Sequence, residues 1–283
     1  MRRSVFLFAL VMGAAHSAAA VAAEAPLVWM LTGAGGALKR DSDRTHTYEA
    51  VALTRKLGSA YISASITHFG ADVRQIDVTL TSSYTIGYVA GGATFGPWFV
   101  DGYASLGDQH YGQIIAGAGK RDVNGPTHSG VRGVGGDVGY IKWFRDTWSV
   151  APSASLQWID SRALRGQVSS AGPSEYETRE TGATFGAGAR IDHVFGAERG
   201  NSIGFRYTHY VSTNASAALS SAARSALDPA RQSGHRADGW EDLGGYTTLR
   251  LTRRVYLDLS VSRTLGALAG DMTTTALGGR VLF

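Results

Sequence analysis

The chain has 283 residues, no cysteine, 37 glycines and 6 prolines, and a formal net charge of +4 that comes mostly from arginine. Without cysteine there is no disulfide framework, and so small and dispersed a positive charge does not favour nucleic-acid binding. Only 44% of the residues are hydrophobic, a composition that suits a barrel whose apolar side chains face lipid and whose backbone groups pair in ladders.

The N-terminus has the three parts of a secretory signal peptide. Arg2 and Arg3 form a charged region, residues 5–15 an apolar core, and Ala20-Val21-Ala22 a cleavage site of the A-x-A type. We therefore predict that residues 1–23 are a cleaved signal.

The remaining chain, residues 24–283, is predicted to form one domain. It has no apolar run of about eighteen residues, which a membrane helix requires, so a membrane-spanning fold must use strands. Alternation with period 2 recurs in about twelve segments, an even number as expected of a bacterial barrel. These predicted strands lie near 26–36, 46–57, 60–70, 76–90, 97–110, 131–144, 148–162, 182–195, 201–212, 241–252, 255–265 and 273–283.

The predicted connections alternate in length along the chain, which indicates an antiparallel up-and-down barrel with both termini in the periplasm. The long ones are 37–45, 111–130, 163–181 and 213–240, while 71–75 and 266–272 are short where longer ones are expected. The longest, 213–240, contains a run with helical propensity from Ala215 to Ala226, and it is expected to be a contact surface, a plug or a loop without a partner.

The clearest strand runs from Trp148 to Ile159. Trp148 and Trp158 share one face and are ten residues apart, which in a strand tilted by about 40° spans roughly 25 Å. We therefore predict that they belong to the aromatic girdles on either side of a lipid-facing apolar band, in contact with outer-membrane lipid.

The last strand, 273–283, places Leu277, Val281 and Phe283 on one face. A terminal aromatic residue on such a strand resembles the assembly signal of outer-membrane β-barrels. The resemblance implies that periplasmic chaperones and the barrel-assembly machinery bind this strand.

Three segments together resemble the translocator β-domain of autotransporters, the twelve-stranded barrels of type V secretion: Leu27-Val28-Trp29, Trp148 to Pro152, and Ala276 to Phe283. The family usually has an aromatic residue where this chain has Val281. The family barrel also follows a secreted passenger and a pore-spanning helix, for which the stretch before Leu27 leaves almost no room. The resemblance implies an outer-membrane barrel of translocator type without a passenger, forming a pore or presenting its loops.

Strand parity directs eight charged side chains into the lumen, where they serve structural pairing, ion selectivity or contact with a translocating chain. They are Asp101, Asp137, Arg190, Asp192, Arg206, Arg250, Asp258 and Arg280. A three-residue turn at 253–255 would place Arg250 directly across from Asp258, and we predict an ion pair there. The register one step away would instead set Arg250 against Tyr256.

Small residues line the predicted lumen on three consecutive strands: Gly133, Gly135 and Gly139; Ala151, Ser153 and Ser155; Gly186 and Gly188. They leave space for a water path, or they admit bulky side chains from the opposite wall, such as Phe99, Tyr103, Tyr246 and Tyr256.

Catalysis is not expected, and neither is a metal or cofactor site. A lipase barrel needs a His-x-Ser pair on one strand face, but Ser129 follows His128 directly and Ser212 lies three residues after His209. No histidine pair has the local spacing of a zinc site, and no glycine loop is suited to phosphate. The alternatives that stay open are an outer-membrane hydrolase and a surface adhesin or passive porin.

Overall fold

The computed structural model describes residues 29–41, 44–74, 78–116, 119–169, 172–214, 237–267 and 270–283. The predicted signal segment and the central part of the 213–240 connection, with its expected helix, lie outside these residues. The strands are β1 (Trp29–Arg40), β2 (His46–Leu57), β3 (Ala60–Arg74), β4 (Val78–Phe95), β5 (Trp98–Ala116), β6 (Gly119–Asp122), β7 (His128–Tyr140), β8 (Lys142–Phe144), β9 (Trp148–Ser169), β10 (Gly172–Phe195), β11 (Asn201–Ser212), β12 (Asp238–Arg250), β13 (Val255–Leu265) and β14 (Met272–Leu282).

Twelve of these strands form a closed antiparallel wall. Each pairs with the next along the chain, and the wall closes where β14 pairs with β1 in the register Met30↔Leu282 to Arg40↔Met272. β6 extends the wall on β5, and β8 pairs with the start of β9. The predicted all-β barrel of about twelve strands is therefore confirmed. No helix among the described residues is long and apolar enough to cross a membrane.

The predicted connection 163–181 was wrong. β9 continues to Ser169, β10 begins at Gly172, and the two strands pair without interruption from His193↔Trp148 to Gly172↔Ser169. Part of the predicted connection 111–130 is also strand, in β5 and β6. The backbone ladder continues through these residues, although the alternation of apolar and polar residues has ended. The alternation ends because a strand that extends beyond lipid does not need an apolar face.

The barrel has two unlike ends. We call the end with the connections around 58–59, 96–97, 145–147, 196–200 and 251–254 the turn end; it also holds Trp29 and Phe283. The opposite end, where the strands extend furthest, is the loop end. Along each strand buried side chains alternate with exposed ones, as in β2, so the inward face is the buried face.

Aromatic side chains fill one side of the lumen. Tyr48, Phe69, Tyr84 and Tyr88 from β2 to β4 are buried in one cluster, and the rings of Phe69 and Tyr84 stack with centroids 4.8 Å apart. A cavity of about 200 Å³ lies along the other side, bordered mainly by β9 to β14. The cavity therefore lies along the wall that carries most of the predicted lumen charges.

Candidate functional site in the barrel lumen

Arg280 and Asp258 form an ion pair across β13 and β14, in which the arginine is buried and the aspartate is partly exposed. Arg280 Nε donates to Asp258 Oδ2 at 2.7 Å and Arg280 Nη2 to Asp258 Oδ1 at 2.8 Å. Thr248, which lies opposite Asp258 in the register of β12, donates from Oγ1 to Asp258 Oδ1 at 2.6 Å. The guanidinium also lies over the ring of Tyr256, 5.2 Å from its centroid. These contacts join three strands next to the closing seam.

The other acidic groups of the lumen also have partners. Tyr61 donates to Asp101 Oδ1 at 2.6 Å, and Tyr246 donates to Asp192. Arg190 Nε lies 3.2 Å from Asp192 Oδ2. Both aspartates therefore accept a phenol hydrogen bond from a strand that is not adjacent in sequence, which ties distant parts of the chain together inside the barrel.

The predicted pair of Arg250 with Asp258 was wrong. Arg250 lies opposite Tyr256 in the register, and its Nη1 donates to Glu198 Oε2 at 2.6 Å. Leu251 N donates to Val255 O at 2.9 Å, so the three-residue turn is 252–254, one residue earlier than predicted. Thr252 Oγ1 accepts from the backbone N–H groups of residues 254 and 255, at 3.2 and 3.1 Å, and this side-chain contact favours the earlier turn.

Both signs of charge border the cavity. Asp137 and Arg206, the remaining predicted lumen charges, line it together with Arg190 and Asp258. Tyr210 and Tyr246 form part of its wall. The cavity therefore borders fixed charges of both signs together with aromatic rings and small residues.

Three of the small inward residues make room for aromatic rings of the adjacent strand, whereas the sequence left open a water path or rings from the opposite wall. A Cβ atom at Gly135 would lie 2.7 Å from the ring of Tyr103, its register partner. The same direct pairing joins Gly139 to Phe99 and Gly186 to Tyr210. The lack of a side chain at these three glycines therefore leaves room for the rings of their register partners.

The outward face has a different chemistry. Trp148 and Trp158 are 36% and 39% exposed, and Leu156 between them is also exposed. Trp148 stacks on His193 with ring centroids 4.4 Å apart. The two tryptophans thus lie towards opposite ends of an outward-facing apolar stretch of β9, and their place in the aromatic girdles stays a prediction.

The predicted assembly residues Leu277, Val281 and Phe283 all face outward. The backbone of Phe283 is bonded to that of Trp29 in both directions, with N–O distances of 3.0 Å. The last residue therefore completes the seam between the first and last strands.

The loop end holds a histidine–aspartate pair that sequence patterns did not indicate. His128 Nδ1 lies 2.6 Å from Asp108 Oδ2, and His110 Nδ1 lies 3.2 Å from His128 Nε2. Ser129, which follows His128, takes no part in this pair, because its hydroxyl donates to Glu177 Oε1 at 2.9 Å. The described residues contain no group of three or more histidine, aspartate or glutamate side chains suited to a metal ion.

A second unpredicted cluster lies on the outer surface, where Arg132 and Arg179 both contact Asp160. Each member lies on the outward face of its strand, at an even spacing from an exposed apolar residue: Val134 on β7, Trp158 on β9 and Phe185 on β10. The sequence did not predict this cluster, because Arg179 fell in a predicted connection. Arg132 and Asp160 fell in predicted strands, and their outward parity was the signal that could have revealed a charged site on the outer face.

Comparison with known proteins supports the fold. Neither a protein-family model nor a curated protein matches the sequence. Among solved structures, the translocator domain of the autotransporter NalP from Neisseria meningitidis aligns with a TM-score of 0.62 at 10% identity, covering 99% of this chain and 98% of that one. The β-domain of the Bordetella autotransporter BrkA gives 0.59 at 15% identity, covering 90% and 99%. The transport unit of AIDA-I from Escherichia coli gives 0.57 at 10% identity, covering 90% of each. The chain therefore has the fold of the autotransporter translocator β-domain.

Proposed function

We propose that the protein is an integral outer-membrane β-barrel of translocator type that provides a polar path through its lumen and carries out no catalysis. The observation that carries this proposal is the contrast between the two faces of one closed wall. The outward face is apolar and bounded by tryptophan, whereas the inward face holds paired charges around a cavity.

The contrast matters because lipid contains no groups that can satisfy polar atoms. A closed barrel pairs every backbone group of its wall and has no open edge, and charged residues are inexpensive only on the wet inner face. A water-soluble barrel would reverse this arrangement, since it would bury apolar side chains and expose polar ones. The fold of the NalP and BrkA domains agrees with a membrane-spanning role.

In this proposal the turn end faces the periplasm and the loop end faces the outside. Short turns at the periplasmic end and longer strands and loops outside are usual for such barrels. Phe283 and the exposed face of β14 would then contact periplasmic chaperones and the barrel-assembly machinery before the seam closes.

Conductance of the purified full chain in planar bilayers tests the path. We expect stable single-channel currents with weak charge selectivity, and we expect Tyr210→Ala to increase them because Tyr210 borders the cavity. Tyr207→Ala is the matched control, since Tyr207 lies on the same strand and faces outward. Absence of current in both the wild-type protein and Tyr210→Ala would contradict the pore.

A further inference from the structure

Beyond the lumen, the structure has a charged site on its outer surface at the loop end. Asp160 follows the girdle residue Trp158 by two positions along β9, and it lies opposite Arg132 of β7 in the register. Arg179 of β10 reaches the same carboxylate from the other side. At about 3.3 Å per residue, the carboxylate lies roughly 5 Å beyond the tryptophan along the normal of a membrane crossed at 40°.

Two arginines share the one carboxylate. Arg132 donates from Nε and Nη2 to Asp160 Oδ2 at 2.9 and 2.7 Å. Arg179 donates from Nε to Oδ1 at 2.8 Å and from Nη2 to Oδ2 at 2.7 Å. The carboxylate is only 6% exposed, while each arginine side chain is 59% exposed. Asp160 therefore lies beneath the two guanidinium groups and orients them.

The cluster has an excess of one positive charge. Among the described residues, the Nη1 groups of Arg132 and Arg179 donate to no protein acceptor, and both side chains are exposed enough for an external acceptor to reach them. The neighbouring Arg162 is balanced by Glu177, 3.5 Å away. By contrast, Arg263 at the same end lies between Asp41 and Asp271, which leaves that group with a negative excess.

The site is concave and its shape is held by the strand extension. A cavity of about 250 Å³ is lined by Leu106, Arg132, Asp160, Arg162 and Arg179, among others. The extension of β9 and β10 is attached to the connection before β7, because Glu175 Oε2 accepts from the backbone N–H groups of Asn124 and Gly125 at 3.0 and 2.8 Å.

The chemistry of this cleft suits a phosphate group next to an acyl chain. Each arginine uses its Nε–Nη2 edge for Asp160, so the Nη1–Nη2 edge is left for a ligand, and such an edge matches phosphate oxygens in geometry and charge. Leu106, the register partner of Arg132, is 73% exposed and offers an apolar contact on the same outer face. We propose that Arg132 and Arg179 bind the phosphate of a membrane lipid whose head group lies at the loop-end girdle. The proposal rests on the membrane-embedded barrel of the proposed function.

Lipid binding to the full chain, purified in a neutral detergent, tests this site. Short-chain phosphatidic acid is titrated and read by native mass spectrometry and by quenching of tryptophan fluorescence with a brominated form of the lipid. We expect saturable binding to the wild type and at least a tenfold loss of affinity in R132Q/R179Q. R132K/R179K should lie between them, because lysine keeps the charge but loses the fork. Arg263→Gln is the control and should bind like the wild type.

Inorganic phosphate as competitor distinguishes the two sources of the group. Phosphate that fails to displace the lipid at a hundredfold excess supports a lipid site, whereas displacement at equal concentration would overturn the lipid in favour of free phosphate. Equal binding by wild type and R132Q/R179Q would overturn the site itself. A closed barrel migrates differently in a gel before and after heating. This mobility shift is measured for each variant, so that a loss of lipid binding is distinguished from a failure of the barrel to fold.

Discussion

Arg280 of the last strand and Asp258 of the strand before it are joined by two hydrogen bonds of 2.7 and 2.8 Å, and the Arg280 side chain is only 2% exposed. The pair lies in the lumen beside the seam that closes the barrel. Its position couples the pairing of β14 to the interior of the molecule, since β14 contributes one face to lipid and one to this ion pair.

Arg280→Ala should destabilise the barrel because Asp258 keeps its charge and loses its main partner. Breaking a buried pair costs about 3–5 kcal/mol, and since Asp258 is partly exposed we expect roughly 1–3 kcal/mol. Urea unfolding in lipid vesicles measures the change. Arg263→Ala, which removes an exposed ion pair, should cost less than about 1 kcal/mol. Equal effects of the two changes would contradict the role of the lumen pair.

Gly135→Ala should destabilise the barrel because the new methyl group would meet the ring of Tyr103. Overpacking of this kind costs about 1–3 kcal/mol, and the double change with Tyr103→Ala should cost less than the sum of the single changes. Gly130→Ala on the same strand is the control, as nothing lies within 4 Å of its added atom. Thermal unfolding followed by gel mobility is the measurement, and additive effects would exclude the clash.

Deletion of Phe283 should slow assembly, since it removes both backbone hydrogen bonds to Trp29 and an outward aromatic ring. Pulse-chase labelling with heat-dependent gel mobility follows the folded fraction. Phe283→Tyr keeps the backbone and an aromatic ring and should assemble at close to the wild-type rate. An unchanged rate in the deletion variant would show that the terminal residue is dispensable.

Asp160 should contribute to stability in a pH-dependent way. Hydrogen bonds from Arg179 and then from Arg132 lower the pKa of Asp160 from 3.8 to about 2, against the opposing effect of burial. Asp160 lies beyond Trp158 and outside the apolar band, beneath two arginine side chains that are each 59% exposed. A lowered pKa means that the contribution is complete above the unfolded-state pKa and is lost as the pH falls towards 2. The free energy of unfolding of Asp160→Asn should not show this loss as the pH is lowered. If its pH dependence has the same slope as that of the wild type, the contribution of Asp160 is contradicted.

The orientation of the barrel can be measured because the chain has no cysteine. Thr45→Cys at the loop end should react in intact cells with a maleimide that does not cross the membrane, and Arg253→Cys at the turn end should react only after the outer membrane is permeabilised. Both residues are exposed. The opposite order of labelling would invert the proposed topology.

Much of the barrel follows from the sequence because its signals are local. Alternation with period 2 assigns each side chain to lipid or lumen within a few residues. It therefore predicted the strands 46–57, 201–212 and 255–265 with the bounds that the structure shows, and it placed Asp101 and Arg280 on the inner face.

Only the tertiary structure decided which side chains meet. The partner of Arg250 depends on whether the three-residue turn begins at residue 252 or at residue 253, a difference set by one hydroxyl of Thr252 that parity does not detect. Other contacts also join residues on different strands, such as Gly135 with Tyr103 and Arg132 with Asp160. The register of these strands is set by the turns and by pairing around the whole wall. The alternation within one strand predicts which face of the wall a residue occupies, whereas a site depends on the register between several strands.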